Sequence, residues 1–231
     1  MRVIPCLLLA AFAACNSESS PSSRPVTVFA AASLRELVTQ VAEEWTKKSG
    51  RAHALQFEST ATLARQINEG APADLFITAA PEWLNKVKTQ ERFDWLSNRL
   101  VVVVPKDAPD FDLKKLVSLA LADEQVPAGK YARQALAKEG VALPERTIYG
   151  HNVRDVLSKV SQGGAKAGIV YATDAKIDAN VRVAYTFPPD RHEKILYSVG
   201  FLTPDGKAIY DALKEAWVLE AATKMGFAEL K

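Results

Sequence analysis

The sequence predicts an α/β protein of two lobes joined by two crossover strands, and three observations predict it. Short apolar runs alternate with segments of helical periodicity, as in a mainly parallel sheet covered by helices on both faces. The alternation breaks at DAPDFD, just after Lys106, and then resumes as a second series. Two apolar runs, LVVVV before the break and ILYSVGFL after the second series, are placed to carry the chain outward and back, leaving a hinged cleft between the units.

The first residues do not read as fold. Met1 and Arg2 precede the apolar stretch IPCLLLAAFAA, which is too short to span a bilayer and suits an export signal over residues 1–14. It ends in FAAC, small residues before Cys15 that resemble the cleavage box of bacterial lipoproteins, with Phe12 where that box usually has Leu. Cys15 would then carry lipid and anchor the protein to a membrane. The polar, Ser/Pro-rich NSESSPSSR completes a tether over residues 15–24.

From Val26 the elements follow in order. VTVFA is a strand. The helix from Leu34 carries apolar residues at Leu34, Leu37, Val38, Val41, Ala42 and Trp45, one buried stripe, and stops at Gly50. ALQF is a strand, Thr62 to Glu69 a helix, DLFIT a strand, the segment around Trp83 a short helix, and LVVVV a strand. In the second series, helices are expected at Tyr131–Glu139 and Arg154–Ser161 and strands at AGIVY and VRVAYTF. ILYSVGFL returns as a strand, and Lys207–Trp217 repeats apolar residues at helical spacing through Ala208, Ile209, Ala212, Leu213, Ala216 and Trp217. The lobes are therefore residues 26–105 with 194–231, and residues 106–193.

Composition narrows the function. The chain has 231 residues, 48% of them apolar, enough for a large core, and its net charge of +2 gives no polyelectrolyte attraction to nucleic acid. Cys6 lies in the signal and Cys15 at its end, so the mature domain has no thiol for a disulfide, a nucleophile or a metal. A G-x-S-x-G elbow and a Gly-rich phosphate loop are missing, and of the three histidines, His53, His151 and His192, the nearest two, His151 and His192, are 41 residues apart. Each histidine, and each of Trp45, Trp83, Trp95 and Trp217, is more simply a packing or surface residue.

What remains is a repeated junction. Ser33 stands where a strand becomes a helix, so its side chain can cap that helix while the free N–H groups of the first turn point outward. Ser59 and Thr60 precede a second helix, Pro127, Ala128 and Gly129 a third, and Asn152 a fourth. One such junction is only a cap. Four that converged would present backbone donors and positive dipole ends to an anion. Ala30, Ala31 and Ala32 would let that anion approach the backbone closely. Arg65, Lys130 and Arg154 read as members of a solvated face, and Glu58 as turned away from Thr60 by strand alternation.

The segments VTVFAAASL, TLARQINEGAPADLFITA, LVVVVPK, VPAGKYARQAL and GIVYATDA, in this order, resemble the periplasmic molybdate-binding proteins of bacterial ABC importers over essentially the whole mature chain. The resemblance implies a two-lobed periplasmic binding protein of type II, each lobe a mixed sheet flanked by helices. It implies capture of molybdate, and of tungstate with it, by neutral hydrogen-bond donors in the cleft, without a cofactor and without a catalytic step. Molybdenum would enter only as the oxyanion. The residues it carries over are Ser33, Thr60 in place of a family serine, Ala128, Val153 and Tyr171. It further implies a monomer in the periplasm or cell envelope that delivers its cargo to a membrane permease with its ATPase. Sulfate or another tetrahedral oxyanion is the alternative ligand; an enzyme on this fold would need a titratable group in the cleft, which none of these five residues supplies near neutral pH.

Overall fold

The computed structural model of the protein describes residues 24–230. The export signal and the lipidation expected at Cys15 lie outside the described residues. Along the chain the strands are β1 (Val26–Ala31), β2 (His53–Glu58), β3 (Leu75–Thr78), β4 (Glu91–Ser97), β5 (Leu100–Pro105), β6 (Ser118–Ala122), β7 (Arg146–Gly150), β8 (Ala167–Tyr171), β9 (Val181–Thr186), β10 (Leu196–Phe201) and β11 (Ala228–Glu229). The helices are α1 (Arg35–Ser49), α2 (Thr60–Asn68), α3 (Pro127–Lys138), α4 (Val153–Ser161), α5 (Ala172–Ala175), α6 (Lys207–Ala212) and α7 (Ala216–Met225).

Two sheets divide these strands. One runs in the order β11, β4, β10, β3, β1, β2, the other β7, β6, β8, β5, β9. Both are mixed. In the first, β1 pairs in parallel with β2 and β3, while β10 runs antiparallel to β3 and β4. In the second, β6 is parallel to β7 and β8, and β5 is antiparallel to β8 and β9. The strand LVVVV, read from the sequence as the end of the first lobe, pairs wholly within the second sheet. The outward crossing is thus the dipeptide Asn98–Arg99 between β4 and β5, and the first lobe stops there rather than at residue 105. The return crossing is the segment between β9 and β10. Arg24 likewise belongs to the folded body rather than to the tether, because its guanidinium holds the buried Asp74 at 2.6 Å.

Burial explains the elements. Helix α1 buries Leu37, Val38, Val41, Ala42 and Trp45, the stripe its spacing predicts, and ends on Gly50 at φ 70°, a left-handed position open to glycine. The tail helix differs from expectation: it breaks after Ala212 and restarts at Ala216, so α6 and α7 replace one helix. Strands β4, β6 and β7 had no counterpart in the sequence reading. Five buried residues form β6, but SLALA is built from weak strand formers, and tertiary pairing between β7 and β8 decides its state.

Candidate functional site

In each sheet the parallel strands point their carboxyl ends at the other lobe, and the chain that follows those ends walls a single cavity between the lobes. The wall holds Ala31, Ala32 and Ser33 after β1, Glu58, Ser59 and Thr60 after β2, and Ala79 after β3. From the second lobe come Val126, Pro127 and Ala128 after β6, Asn152 and Val153 after β7, and Tyr171 at the end of β8. The five residues carried over from the resemblance therefore meet in one place. On the measure by which one water needs about 10–15 Å³, the cavity offers about 20 Å³. It has room for one small solute.

The local folding of each wall segment leaves donors facing inward. At α4, Asn152 is the N-cap as expected: its Oδ1 accepts from the N–H groups of Arg154 at 2.9 Å and Asp155 at 3.0 Å, and neither bond uses the N–H of Val153. At α3, Pro127 occupies the first position, where its missing N–H loses nothing, and Ala128 follows it into the wall. Gly129 lets this helix start hard against β6, since a Cβ there would lie 2.0 Å from the Asp123 carbonyl oxygen. At α2 the cap is Ser59, whose Oγ accepts from the Thr62 N–H at 3.2 Å. The Thr60 hydroxyl oxygen accepts from the Ala79 N–H at 3.0 Å, so its own proton is left for the cavity.

Ser33 departs from expectation. It caps nothing: it lies inside a 3₁₀ turn, Ala32–Leu34, whose cap is Ala31 without a side-chain bond. Its Oγ lies 2.9 Å from the hydroxyl of Tyr197, a buried residue of β10 that the sequence did not single out. The Tyr171 hydroxyl is fully buried with no hydrogen-bond partner, although a buried phenol ordinarily finds one. Burial, reinforced by neighbouring negative charge, raises the ionisation of both phenols above the usual tyrosine range, so they keep their protons and can donate.

Positive charge is arranged around the cavity rather than in its wall, where Glu58 is the one charged side chain. Arg154, read from the sequence as part of a solvated face, is largely buried. It reaches across the cleft to Glu36 of α1, with Nη1 at 2.9 Å and Nη2 at 2.5 Å from the two carboxylate oxygens. On its own lobe its Nε meets the buried Asp174 at 2.5 Å. Burial pushes the Asp174 carboxyl up to about 6, against the pull of Arg154. Burial also opposes the charge on Glu36, but there the guanidinium prevails and holds the carboxyl below its usual range. Lys130 is also drawn into the closure, lying 3.0 Å from Glu82 of the first lobe and 2.7 Å from Glu193. Glu58 is not turned away: it lines the cavity, and its Oε1 accepts from the Asn152 side-chain amide across the cleft. Among the described residues no group of three or more His, Cys, Asp or Glu could hold a metal ion.

A family model described as bacterial extracellular solute-binding protein matches residues 26–228. The molybdate-binding protein ModA of Escherichia coli (strain K12) is 38% identical over 87% of this chain and 88% of its own. Among solved structures, the periplasmic molybdate-binding protein of Azotobacter vinelandii matches with a TM-score of 0.76 at 20% identity, over 89% of this chain and all of that one. The sulfate-binding protein SubI of Mycobacterium tuberculosis H37Rv matches with a TM-score of 0.74 at 15% identity, over 90% of this chain and 87% of that one. At those identities the two structures speak for the fold alone.

Proposed function

The chain belongs to the bacterial extracellular solute-binding proteins, and from that premise we propose that it captures molybdate in the cleft and hands it to a membrane permease driven by an ATPase. Tungstate has the same charge and nearly the same size, so the same cage takes it as well. The protein works outside the cytoplasm as a monomer, tethered through lipid on Cys15, and performs no chemical step on its ligand.

One observation carries the ligand reading: the buried Tyr171 hydroxyl has no partner in the protein, and it belongs to the wall of a cavity sized for one small solute. An unmet buried donor costs about 1–3 kcal/mol, whereas a donor bonded to a charged acceptor contributes about 1.5–3 kcal/mol. A dianion in the cavity turns the one into the other. Ser33, Thr60 and Tyr171 supply hydroxyls, and the first turns at Ser33, Thr60, Ala128 and Val153 supply N–H groups and positive dipole ends. A closed cage of this kind separates oxyanions by size, which disfavours the smaller sulfate. Because both lobes supply donors, ligand binding itself stabilises the closed form.

The test is isothermal titration of the purified protein and of Tyr171→Phe with molybdate, tungstate, sulfate and phosphate. The parent is expected to bind the first two in the sub-micromolar range and to leave the others weak. Loss of one charge-assisted bond should weaken the variant by roughly 10- to 150-fold. Tight sulfate binding would transfer the reading to that ion, and equal affinity of parent and variant would remove Tyr171 from the site.

A further inference from the structure

A buried chain of hydrogen bonds runs from the outward crossing to the cavity, and its polarity is fixed at the far end. Asn98 stands between β4 and β5 and is 7% exposed. Its Oδ1 accepts from the backbone N–H of Arg99 at 2.9 Å. A backbone N–H can only donate, so the amide is locked with Nδ2 on the opposite side. That Nδ2 donates to the Thr173 hydroxyl at 2.9 Å and to the Tyr197 hydroxyl at 3.1 Å. Tyr197 is fully buried, and it already accepts from the amide, so its proton goes to the remaining neighbour, the Ser33 Oγ at 2.9 Å. Ser33, accepting from Tyr197, has its own proton left for the cavity.

We infer that Asn98 and Tyr197 are positioning residues that turn the Ser33 proton toward the cavity, so that Ser33 favours a fully deprotonated oxyanion over one that retains a proton. The inference rests on the oxyanion reading above and sharpens it. A free serine hydroxyl donates or accepts with equal ease and would greet a ligand O–H as readily as a ligand oxygen. The relay biases Ser33 toward donating, since accepting from the ligand as well would leave its own proton unmet. The Ala79 N–H does the same to Thr60 from the other side of the wall. An O–H on the ligand directed at Ser33 or Thr60 then meets a donor, and leaving it unmatched there is the penalty that separates the two classes of anion. Glu58 is the one carboxylate of the wall, with Oε1 accepting from Asn152; its other oxygen remains an acceptor, but it is common to the parent and to variants at Asn98 or Tyr197, so it cancels from their comparison.

The experiment titrates the parent, Tyr197→Phe and Asn98→Asp with molybdate and with hydrogen phosphate, the latter also by displacement of bound molybdate, with a thermal melt of each. Tyr197→Phe deletes the donor to Ser33. Asn98→Asp replaces the amide donor with an acceptor, so the Tyr197 proton turns toward it and Ser33 is left free to accept from the ligand. In both variants the ratio of molybdate to hydrogen phosphate affinity is expected to fall about tenfold, the value of one hydrogen bond whose sense is reversed. The titrations are run at a pH above the second ionisation of phosphate, where both ligands are dianions, so a general loosening of the site or the added charge of the aspartate acts on both alike and leaves the ratio unchanged. If one variant does not fold, the other reads the same quantity. Equal weakening of both ions in a folded variant would overturn the relay and leave the oxyanion reading standing. A parent that does not bind molybdate would overturn both.

Discussion

Asp174 is a residue whose burial works against its charge. It is completely buried beside Arg154, it accepts from the Tyr171 N–H at 3.3 Å, and its carboxyl is raised from 3.8 to about 6. A raised carboxyl means that the folded protein binds a proton more tightly than the unfolded chain. The stabilisation this gives is complete below about pH 4 and is lost as the pH rises through about 6. Two units at about 1.4 kcal/mol each set an upper bound of about 3 kcal/mol on the change. Denaturant unfolding of the parent and of Asp174→Asn across that window should therefore show the parent losing stability relative to the variant as pH rises. Parallel pH profiles would mean that the ion pair with Arg154 cancels the desolvation. Glu36 has the opposite sign: its lowered carboxyl contributes stability at neutral pH that disappears on acidification. The two carboxylates on one guanidinium thus titrate in opposing senses.

At the scale of the element, the site is four helix starts, and each start is set by a different local device. Gly129 is the least replaceable of them. A Cβ at this position would lie 2.0 and 2.4 Å from two backbone carbonyl oxygens at the end of β6, which are not free to swing aside as a side chain would. Gly129→Ala should push α3 outward, carrying the Ala128 N–H from the cavity wall. The expected result is a loss of roughly 1–3 kcal/mol of stability, the usual range for overpacking, together with weaker oxyanion binding. An unfolding curve and a titration on the same sample check it, and a variant equal to the parent in both would refute the packing argument. The starts after β2, β6 and β7 were legible in the sequence because caps, prolines and small residues mark them locally, whereas the cap expected of Ser33 is absent. The resemblance placed Ser33, Thr60, Ala128, Val153 and Tyr171, and the cavity brings all five together. Tyr197, Asn98 and the role of Arg154 were not legible: their partners lie 164, 75 and 118 residues away in the chain, and no local spacing encodes such contacts. Strand LVVVV failed for a related reason, since an apolar run does not state which sheet it will join.

For the whole molecule the question is what holds the lobes together when the ligand is the object they share. Arg154 spans the cleft to Glu36, Asn152 to Glu58, and Lys130 to Glu82, so polar bridges ring a cavity whose wall contains no cation. This separates two tasks. Neutral donors set which anion fits, and the charged bridges set how often the cleft is shut. Apparent affinity equals intrinsic affinity scaled by the population of the closed form, so a bridge can tune binding without touching the ligand. Glu36 is 40% exposed on its side chain, which screens the pair and limits its value to about 0.2–1 kcal/mol. Glu36→Gln should accordingly weaken molybdate binding by at most about fivefold. The loss should shrink in neither sulfate nor tungstate titrations, because the change acts on closure and not on recognition. Small-angle scattering of the unliganded protein should show a larger radius of gyration in Glu36→Gln than in the parent, and the two should converge once molybdate is saturating. A variant with parental affinity and parental scattering would show that the donors alone close the cleft, and Arg154 would then be an ion pair of the closed form that does not govern it.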